Sequence, residues 1–333
     1  MKSLAEATPL KVGIVGTGYA AKKRAEAIIG DPRAELLAVT GNTPERIAEF
    51  CQNFAVEAIA SWTRLVNLRE LDLIFVCTIN RDCGAIAKAA ILAGKHVVVE
   101  YPLALSAKLA QEIIDLAIER QQLLHVEHME IIGGLHQAVK ANLPQIGRVF
   151  HARYATISAQ QSDRHSWKYH RDTFGFPLAA ALSRIHRLTD LFGEVESVNC
   201  RNRYWDELGT DYFRGCLCLA QLQFAQGISA ELTYGKGDVF HHSDRTLEIY
   251  GEAGTIIFEG ERGKLIQNRQ ETAIPVTSRR GLFAKDTQMV LAYLFEQKPL
   301  YLQPQASLYA LQVANAAQKS ADTGAKVYLS GLS

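Results

Sequence analysis

The chain has 333 residues, 48% hydrophobic and 21% charged, the make-up of a globular protein with a sizeable core and room for two domains. A formal net charge of +1 excludes any global attraction to nucleic acid or to an anionic membrane, so a cationic function has to come from local clustering. No apolar run approaches the roughly 20 residues of a membrane span and "MKSLAEATPL" lacks a signal-peptide core, so the expected location is cytoplasmic.

Residues 10–124 alternate strand-like and helical stretches. "KVGIVG" reads as a strand, "YAAKKRAEAII" as a helix, "AELLAVTG" as a strand and "TPERIAEFCQNF" as a helix. The buried strand "LDLIFVCTI", the helix "GAIAKAAILAG", the strand "HVVVE", the helix "SAKLAQEIIDLAIERQ" and the strand "QLLHVEH" follow. This alternation predicts a parallel, doubly wound sheet. From about Gly147 the style changes: "GRVFHARYATIS", "VESVNCRNRYW", "CLCLAQLQF", "GISAELTYG", "RTLEIYG", "GTIIFEG" and "KLIQN" are strand candidates of a mainly antiparallel sheet. Two helical stretches, "KDTQMVLAYLFEQ" and "QASLYALQVANAAQKSAD", close the chain. The expected class is α/β: an N-terminal Rossmann domain over residues 1–125 and a C-terminal α+β domain with a large sheet over 126–333. The six cysteines (Cys51, Cys77, Cys83, Cys200, Cys216, Cys218) have no C-x-x-C spacing and read as buried free thiols; no metal site is expected.

The motif "VGIVGTGYAA" puts Gly16, Gly18 and Ala21 in G-x-G-x-x-A order directly after a strand and at the start of a helix. Gly16 permits the tight turn, Gly18 lets a pyrophosphate approach the backbone, and the helix N-terminus offers N–H groups to it, with Thr17, Tyr19 and Ala20 in the same loop. NAD sites usually end the second strand on Asp or Glu, which binds the ribose 2′-hydroxyl; here Gly41, Asn42 and Thr43 stand there, with Arg46 nearby. A missing carboxylate and these donors favour the 2′-phosphate of NADPH. Thr78 and Asn80, after "LDLIFV", and Glu100, ending "HVVVE", complete the expected cofactor contacts.

The glycine motif, "AILAGKHVVVEYP" and the antiparallel second half together resemble the Gfo/Idh/MocA oxidoreductase family. Sugar-acting members carry Glu-Lys-Pro where this chain has Glu100-Tyr101-Pro102. They carry D-x-G-x-H-x-x-D where residues 183–190 read "SRIHRLTD", with Ser183 in the Asp position, Arg187 in the His position and Asp190 alone retained. Tyr101 and Arg187 are poor bases near pH 7, so the exchange removes the proton acceptors that hydroxyl oxidation needs. The Glu-Tyr-Pro variant is similar to biliverdin reductases, and "HVEHMEIIGGLHQAVK", "FGFPLAAALSRIHRLTDLFG" and "YGKGDVFH" resemble their cyanobacterial form; many family members have His at Cys83. The resemblance implies NADPH-dependent reduction of biliverdin, with hydride to the central methine carbon and a proton to a pyrrole nitrogen. A sugar or cyclitol dehydrogenase and a non-catalytic dinucleotide sensor are the alternatives.

A bilin brings two propionates and flat conjugated rings. "DRHSWKYHRDTFGF" offers Arg164, His165, Lys168, His170 and Arg171 interleaved with aromatic residues, which suits both, although a solvated loop carries the same composition. Leu178, Leu182, Ile185 and Leu188 or Leu191 recur at helical spacing and are expected in the core. Ser183, Arg187 and Asp190 form the stripe that family members turn toward the nicotinamide, with Arg184 beside it. Arg184 is the first candidate for proton delivery, ahead of Arg187, unless Arg187 only pairs with Asp190 within the helix. Tyr101 is expected to position the substrate, and Glu127 and His128 are further substrate contacts. A monomer or homodimer acting on a small molecule, with no nucleic-acid or membrane partner, is expected.

Overall fold

A computed structural model of the protein describes residues 8–160 and 165–329. The first half runs β1 (Leu10–Val15), α1 (Tyr19–Ile29), β2 (Ala34–Thr40), α2 (Pro44–Phe54), β3 (Glu57–Ala58), α3 (Trp62–Val66), β4 (Leu73–Val76), α4 (Asn80–Leu92), β5 (His96–Glu100), α5 (Ala107–Glu119) and β6 (Leu124–Glu127). The strands form a six-stranded sheet in the order β3-β2-β1-β4-β5-β6, every neighbouring pair parallel. All four residues of β4 are buried, as a central strand covered on both faces requires, which is why "LIFV" is a continuous apolar run rather than an alternation. The order reverses at β1, so the crevice outside the carboxyl ends of β1 and β4 is where a ligand binds in sheets of this kind.

The chain continues through α6 (Gly134–Asn142), a 3-10 turn at Leu143–Ile146, β7 (Val149–Ala159), a 3-10 turn at Trp167–Tyr169, α7 (Arg171–Phe174), α8 (Pro177–Ala180) and α9 (Ser183–Phe192). Then come β8 (Val195–Asp206), β9 (Phe213–Phe224), β10 (Ser229–Gly237), β11 (Asp244–Gly251), β12 (Gly254–Glu259), β13 (Arg262–Gln267) and β14 (Gln270–Ile274). The last elements are α10 (Leu282–Glu296), α11 (Pro304–Thr323) and β15 (Val327–Tyr328). The nine-stranded sheet has the order β14-β13-β12-β11-β7-β10-β9-β8-β15 and is antiparallel except for the central pair β7 and β10. Along β10, Ala230 and Leu232 are buried while Ser229 and Glu231 are exposed, so one face is covered and the other is wet.

The chain divides into two compact units, residues up to Met129 with Arg280–Leu308, and Glu130–Arg279 with the residues from Tyr309 onward. This differs from a single cut after residue 125, because α10 returns to the first unit. There Val290 and Leu291 join Val12, Ile14, Ile28, Phe50 and Phe75 in one core, burial that local pattern gives no means of assigning to one unit or the other. The helix expected after Pro177 is also interrupted. Ala181 closes the turn of α8 onto the Pro177 carbonyl, the Arg184 N–H reaches the Ala181 carbonyl three residues back, and α9 starts afresh. Leu178, Leu182, Ile185 and Leu188 are all fully buried despite the break.

Candidate functional site

In the first unit, Gly16 closes the β1–α1 turn at φ +125°, and a Cβ there would lie 2.0 Å from the Cys77 carbonyl oxygen, so only glycine fits. Gly18 caps α1 with open space before it, and a side chain would fill the cradle a pyrophosphate needs. Helix α1 has no side-chain cap and no acidic residue in its first turn, which leaves its N-terminal dipole suited to an anion. Tyr19 is exposed beside this turn. At the end of β2, Gly41 lies so close to Thr17 that a Cβ would touch its methyl at 3.0 Å. Asn42 and Arg46 are exposed and Thr43 caps α2 ahead of Pro44. These residues fit NADP: glycine turn, helix start, and a second-strand end with donors in place of the carboxylate.

Asn80 is buried at the start of α4. Cys83, buried one turn on, donates to the Ile79 carbonyl at 3.4 Å, and burial pushes its thiol up to about 12, so it acts as a packing residue. Glu100 ends β5 with its Oε1 held at 3.0 Å by Arg24, a fully buried arginine of α1. Tyr101 follows, and its ring stacks on that of His128, centroids 5.1 Å apart and planes within 10°. His128 is bound through Nε2 to the Ser307 hydroxyl at 2.8 Å, and Glu127 is buried and accepts from the Met129 N–H.

Arg24 also pairs with Asp286 of α10 and donates to the Thr287 hydroxyl at 3.0 Å. Burial disfavours both charges. Even so, Asp286 and Glu100 hold the guanidinium well above its ordinary range, while Arg24 and His125 hold the Asp286 carboxyl well below its own. Removing one partner of such a pair leaves a buried charge uncompensated, at about 3–5 kcal/mol.

In the second unit, α9 lays two arginines over the covered face of the nine-stranded sheet. Arg184 donates from Nη1 to the Ser183 hydroxyl at 2.8 Å and from Nε to the Thr156 hydroxyl at 3.4 Å, with its guanidinium 5.6 Å from the Tyr234 ring centroid. Arg187 is only 7% exposed, sits 5.9 Å from the Tyr154 ring centroid, and its Nε and Nη1 have no hydrogen-bond partner among the described residues. Two buried N–H groups left this way are costly unless an acceptor meets them. Asp190 does not pair with Arg187. Its Oδ2 takes His136 Nε2 at 2.7 Å and Lys140 Nζ at 3.0 Å, both from α6. The His136 hydrogen bond leads the causes that bring the Asp190 carboxyl down to about 2, while burial, reinforced by the nearby Arg187, keeps His136 itself toward the neutral side.

Strand register adds residues that the sequence reading missed. Thr156 faces Tyr234 on β10 and Arg245 on β11, so Arg245, an exposed cation, stands beside the hydroxyl that Arg184 uses. The signal was present in "ARYATIS", whose period of two sets Tyr154, Thr156 and Ser158 on one face.

Two family models match most of this chain: the Gfo/Idh/MocA oxidoreductase family, NAD-binding Rossmann fold, over residues 10–128, and its C-terminal alpha/beta domain over residues 140–329. The chain belongs to the Gfo/Idh/MocA oxidoreductase family. Among solved structures, biliverdin reductase from Synechocystis sp. PCC 6803 in complex with biliverdin and NADP+ is 52% identical, with a TM-score of 0.93 over 95% of this chain and 100% of that one. Human biliverdin reductase A is 24% identical over 254 residues, 75% of this chain and 76% of the human one. The match to mouse biliverdin reductase A, 31% identical over 141 residues, spans less than half of that relative, 45% of its length.

Within the Gfo/Idh/MocA frame, the expected site residues fall into three groups. Gly16, Thr17, Gly18, Tyr19, Ala20, Asn42, Thr43, Arg46, Thr78, Asn80, Glu100 and Tyr101 gather around the ends of β1, β2, β4 and β5, with Glu127 and His128 at the end of β6. Arg184 and Arg187 gather over the second sheet. The loop cations form the third group: Arg171 pairs with Asp206 and stacks 4.0 Å above the Tyr204 ring centroid, and the His170 ring meets Tyr212 edge-on. Lys168 is exposed, with its ammonium 5.8 Å from the Trp167 ring centroid. Arg164 lies outside the described residues.

Proposed function

We propose that this protein is an NADPH-dependent reductase of biliverdin, yielding bilirubin. The observation that carries the reading is the pair of arginines on α9 over the Tyr154, Thr156 and Tyr234 face, where sugar-acting relatives need a base. A permanently protonated guanidinium cannot accept a hydroxyl proton, but it can meet a carboxylate or an electron-rich ring system. The 52% identity to a reductase solved with biliverdin and NADP+ supports the same substrate and cofactor.

NADPH, when bound, supplies the hydride. The chain's own tasks are binding, orientation and charge. The Gly16–Gly18 turn and the start of α1 hold the pyrophosphate, while Asn42, Thr43 and Arg46 take the 2′-phosphate. Tyr101 donates a hydrogen bond from its phenol or offers its ring face to the bilin, and the stack on His128 holds it in place. Arg184 favours the charge that builds on the pyrrole nitrogens and aids proton delivery there, directly or through a bound water. Arg187, whose Nε and Nη1 lack acceptors among the described residues, suits an anionic or carbonyl group of the substrate, and Lys168 and His170 serve the propionates. No helix among the described residues is long and apolar enough to cross a membrane. We further propose a cytoplasmic monomer or homodimer of tetrapyrrole metabolism without a nucleic-acid partner.

The test is a titration of purified protein with NADPH and biliverdin, following loss of reduced cofactor together with appearance of the yellow product. Stoichiometric conversion supports the reading. Oxidation of a sugar or cyclitol with NADP in its place supports the dehydrogenase alternative, and cofactor binding without turnover of either substrate supports a sensor.

A further inference from the structure

Three side chains at the carboxyl ends of β5 and β6, Glu100, Tyr101 and His128, are gripped from behind by one buried network of the first unit. Asp286, fully buried, lies at its centre. Its Oδ2 pairs with Arg24, and its Oδ1 accepts from the Tyr301 hydroxyl at 2.7 Å and meets His125 Nε2 at 2.9 Å. On one side Arg24 passes this order to Glu100 through its Nε. On the other, the Tyr301 hydroxyl accepts the backbone N–H of His128 at 3.1 Å, and the face of the His128 ring carries Tyr101. The Tyr301 ring itself is fixed edge-on against His125, centroids 5.3 Å apart.

Such a network is a poor device for stability alone, because desolvating Arg24 and Asp286 consumes most of their attraction and an apolar cluster would hold the fold as well. What directional bonds add is orientation. Two chains of contacts begin at Asp286: one ends on Glu100 through Arg24, the other passes through Tyr301 and His128 and ends on the Tyr101 ring.

We propose that Asp286 and Tyr301 are positioning residues for the reduction: through Arg24 they set the Glu100 carboxylate, and through His128 they set the plane on which Tyr101 stacks. The inference rests on the functional reading above, in which Tyr101 orients the bilin.

Tyr301→Phe isolates the effect, since it keeps the ring against His125 and removes only the hydroxyl shared by His128 and Asp286. Two measurements are made on the full-length protein. First, the Cε1 proton of His128 is followed by NMR in wild type, Tyr301→Phe and Tyr101→Ala. Shielding by the stacked tyrosine is expected in wild type and is reduced in Tyr301→Phe toward the Tyr101→Ala value. Second, steady-state reduction of biliverdin is expected to lose about tenfold in kcat, the scale of a small misplacement of a reacting group. The KM for NADPH is expected to stay within about twofold, because the glycine turn is untouched, and adding Tyr301→Phe to Tyr101→Ala is expected to have no further effect on kcat. An unmoved His128 resonance, an unchanged kcat, or losses that multiply fully in the double variant would each overturn the positioning role. A wild-type protein that does not reduce biliverdin overturns the functional reading instead, and the resonance then reports separately on whether Tyr301 holds the stack.

Discussion

Replacing Lys236 with methionine probes a buried base in the second unit that the proposed chemistry does not use. Lys236 lies on β10, 7% exposed, with its nitrogen 3.3 Å from the Phe174 ring centroid, 4.5 Å from that of Tyr169 and 5.3 Å from that of Phe213. Its Nζ donates to the Lys168 carbonyl, and the titratable groups beside it are Cys216 and Lys168. Burial, opposed by Cys216 and aided by Lys168, pushes the ammonium down to about 7 from an ordinary 10.5. Because the folded value lies below the unfolded one, the unfolded chain binds more protons between those two values, and stability rises with pH across that window. Below it both states hold the proton and the burial cost is constant; above it both are neutral and the cost vanishes. Between pH 7 and 9 the lysine therefore contributes a gain of about 2 kcal/mol, close to one proton over most of the interval at about 1.4 kcal/mol per pH unit. Methionine fills the aromatic cage with a chain of similar length and does not titrate. Urea unfolding of both proteins across this range should show the parent gaining about 2 kcal/mol on Lys236→Met as pH rises, with the variant the more stable at pH 7. Parallel curves would refute the reasoning, and would mean that the aromatic faces hold the ammonium charged inside the fold.

Arg184→Ala is expected to lower kcat for biliverdin by about 10²-fold with pigment and NADPH affinity much less changed, whereas Arg187→Ala acts more on binding; steady-state kinetics with a melting control separates the two. Tyr101→Phe should retain far more activity than Arg184→Ala because the stack on His128 survives, and an equal loss would promote the Tyr101 hydroxyl to proton donor. NADPH should exceed NADH in kcat/KM at fixed pH and salt, and Asn42→Asp should narrow or reverse that preference by setting a carboxylate against the 2′-phosphate; equal values for the parent would remove the argument from the missing acid.

Much of this site was legible before any coordinates. The glycine turn could be read because its requirement is local: a backbone at φ +125° with the Cys77 carbonyl 2.0 Å from a would-be Cβ admits no other residue. Tyr101 and Arg187 stand out because they replace the lysine and histidine of the sugar-acting pattern, and Arg184 because it lies beside that stripe. The Arg187–Asp190 pairing, by contrast, was drawn from helical spacing alone. It gave way to His136 and Lys140, because the nearest partner of a half-buried carboxylate is set by the helix packed against it. Arg24 could have been noticed as a lone charge on the stripe Ala21, Arg24, Ala25 and Ile28, but nothing nearby in the chain announces its partner.

By itself the sequence determined most of the two sheets' strands, most helices and the dinucleotide turn, but not the short strands β3 and β15 or the edge strand β14, since alternation, helical period and positive φ are properties of neighbouring residues. Only the tertiary structure decided which distant residues meet. Asp286 reaches Arg24 across 262 positions because α10 packs back into the first unit, and Arg245 arrives beside Thr156 through the pairing of β11 with β7. Such meetings depend on strand order and register, and a side chain pattern that repeats every two residues fits many registers equally well until the whole core is packed.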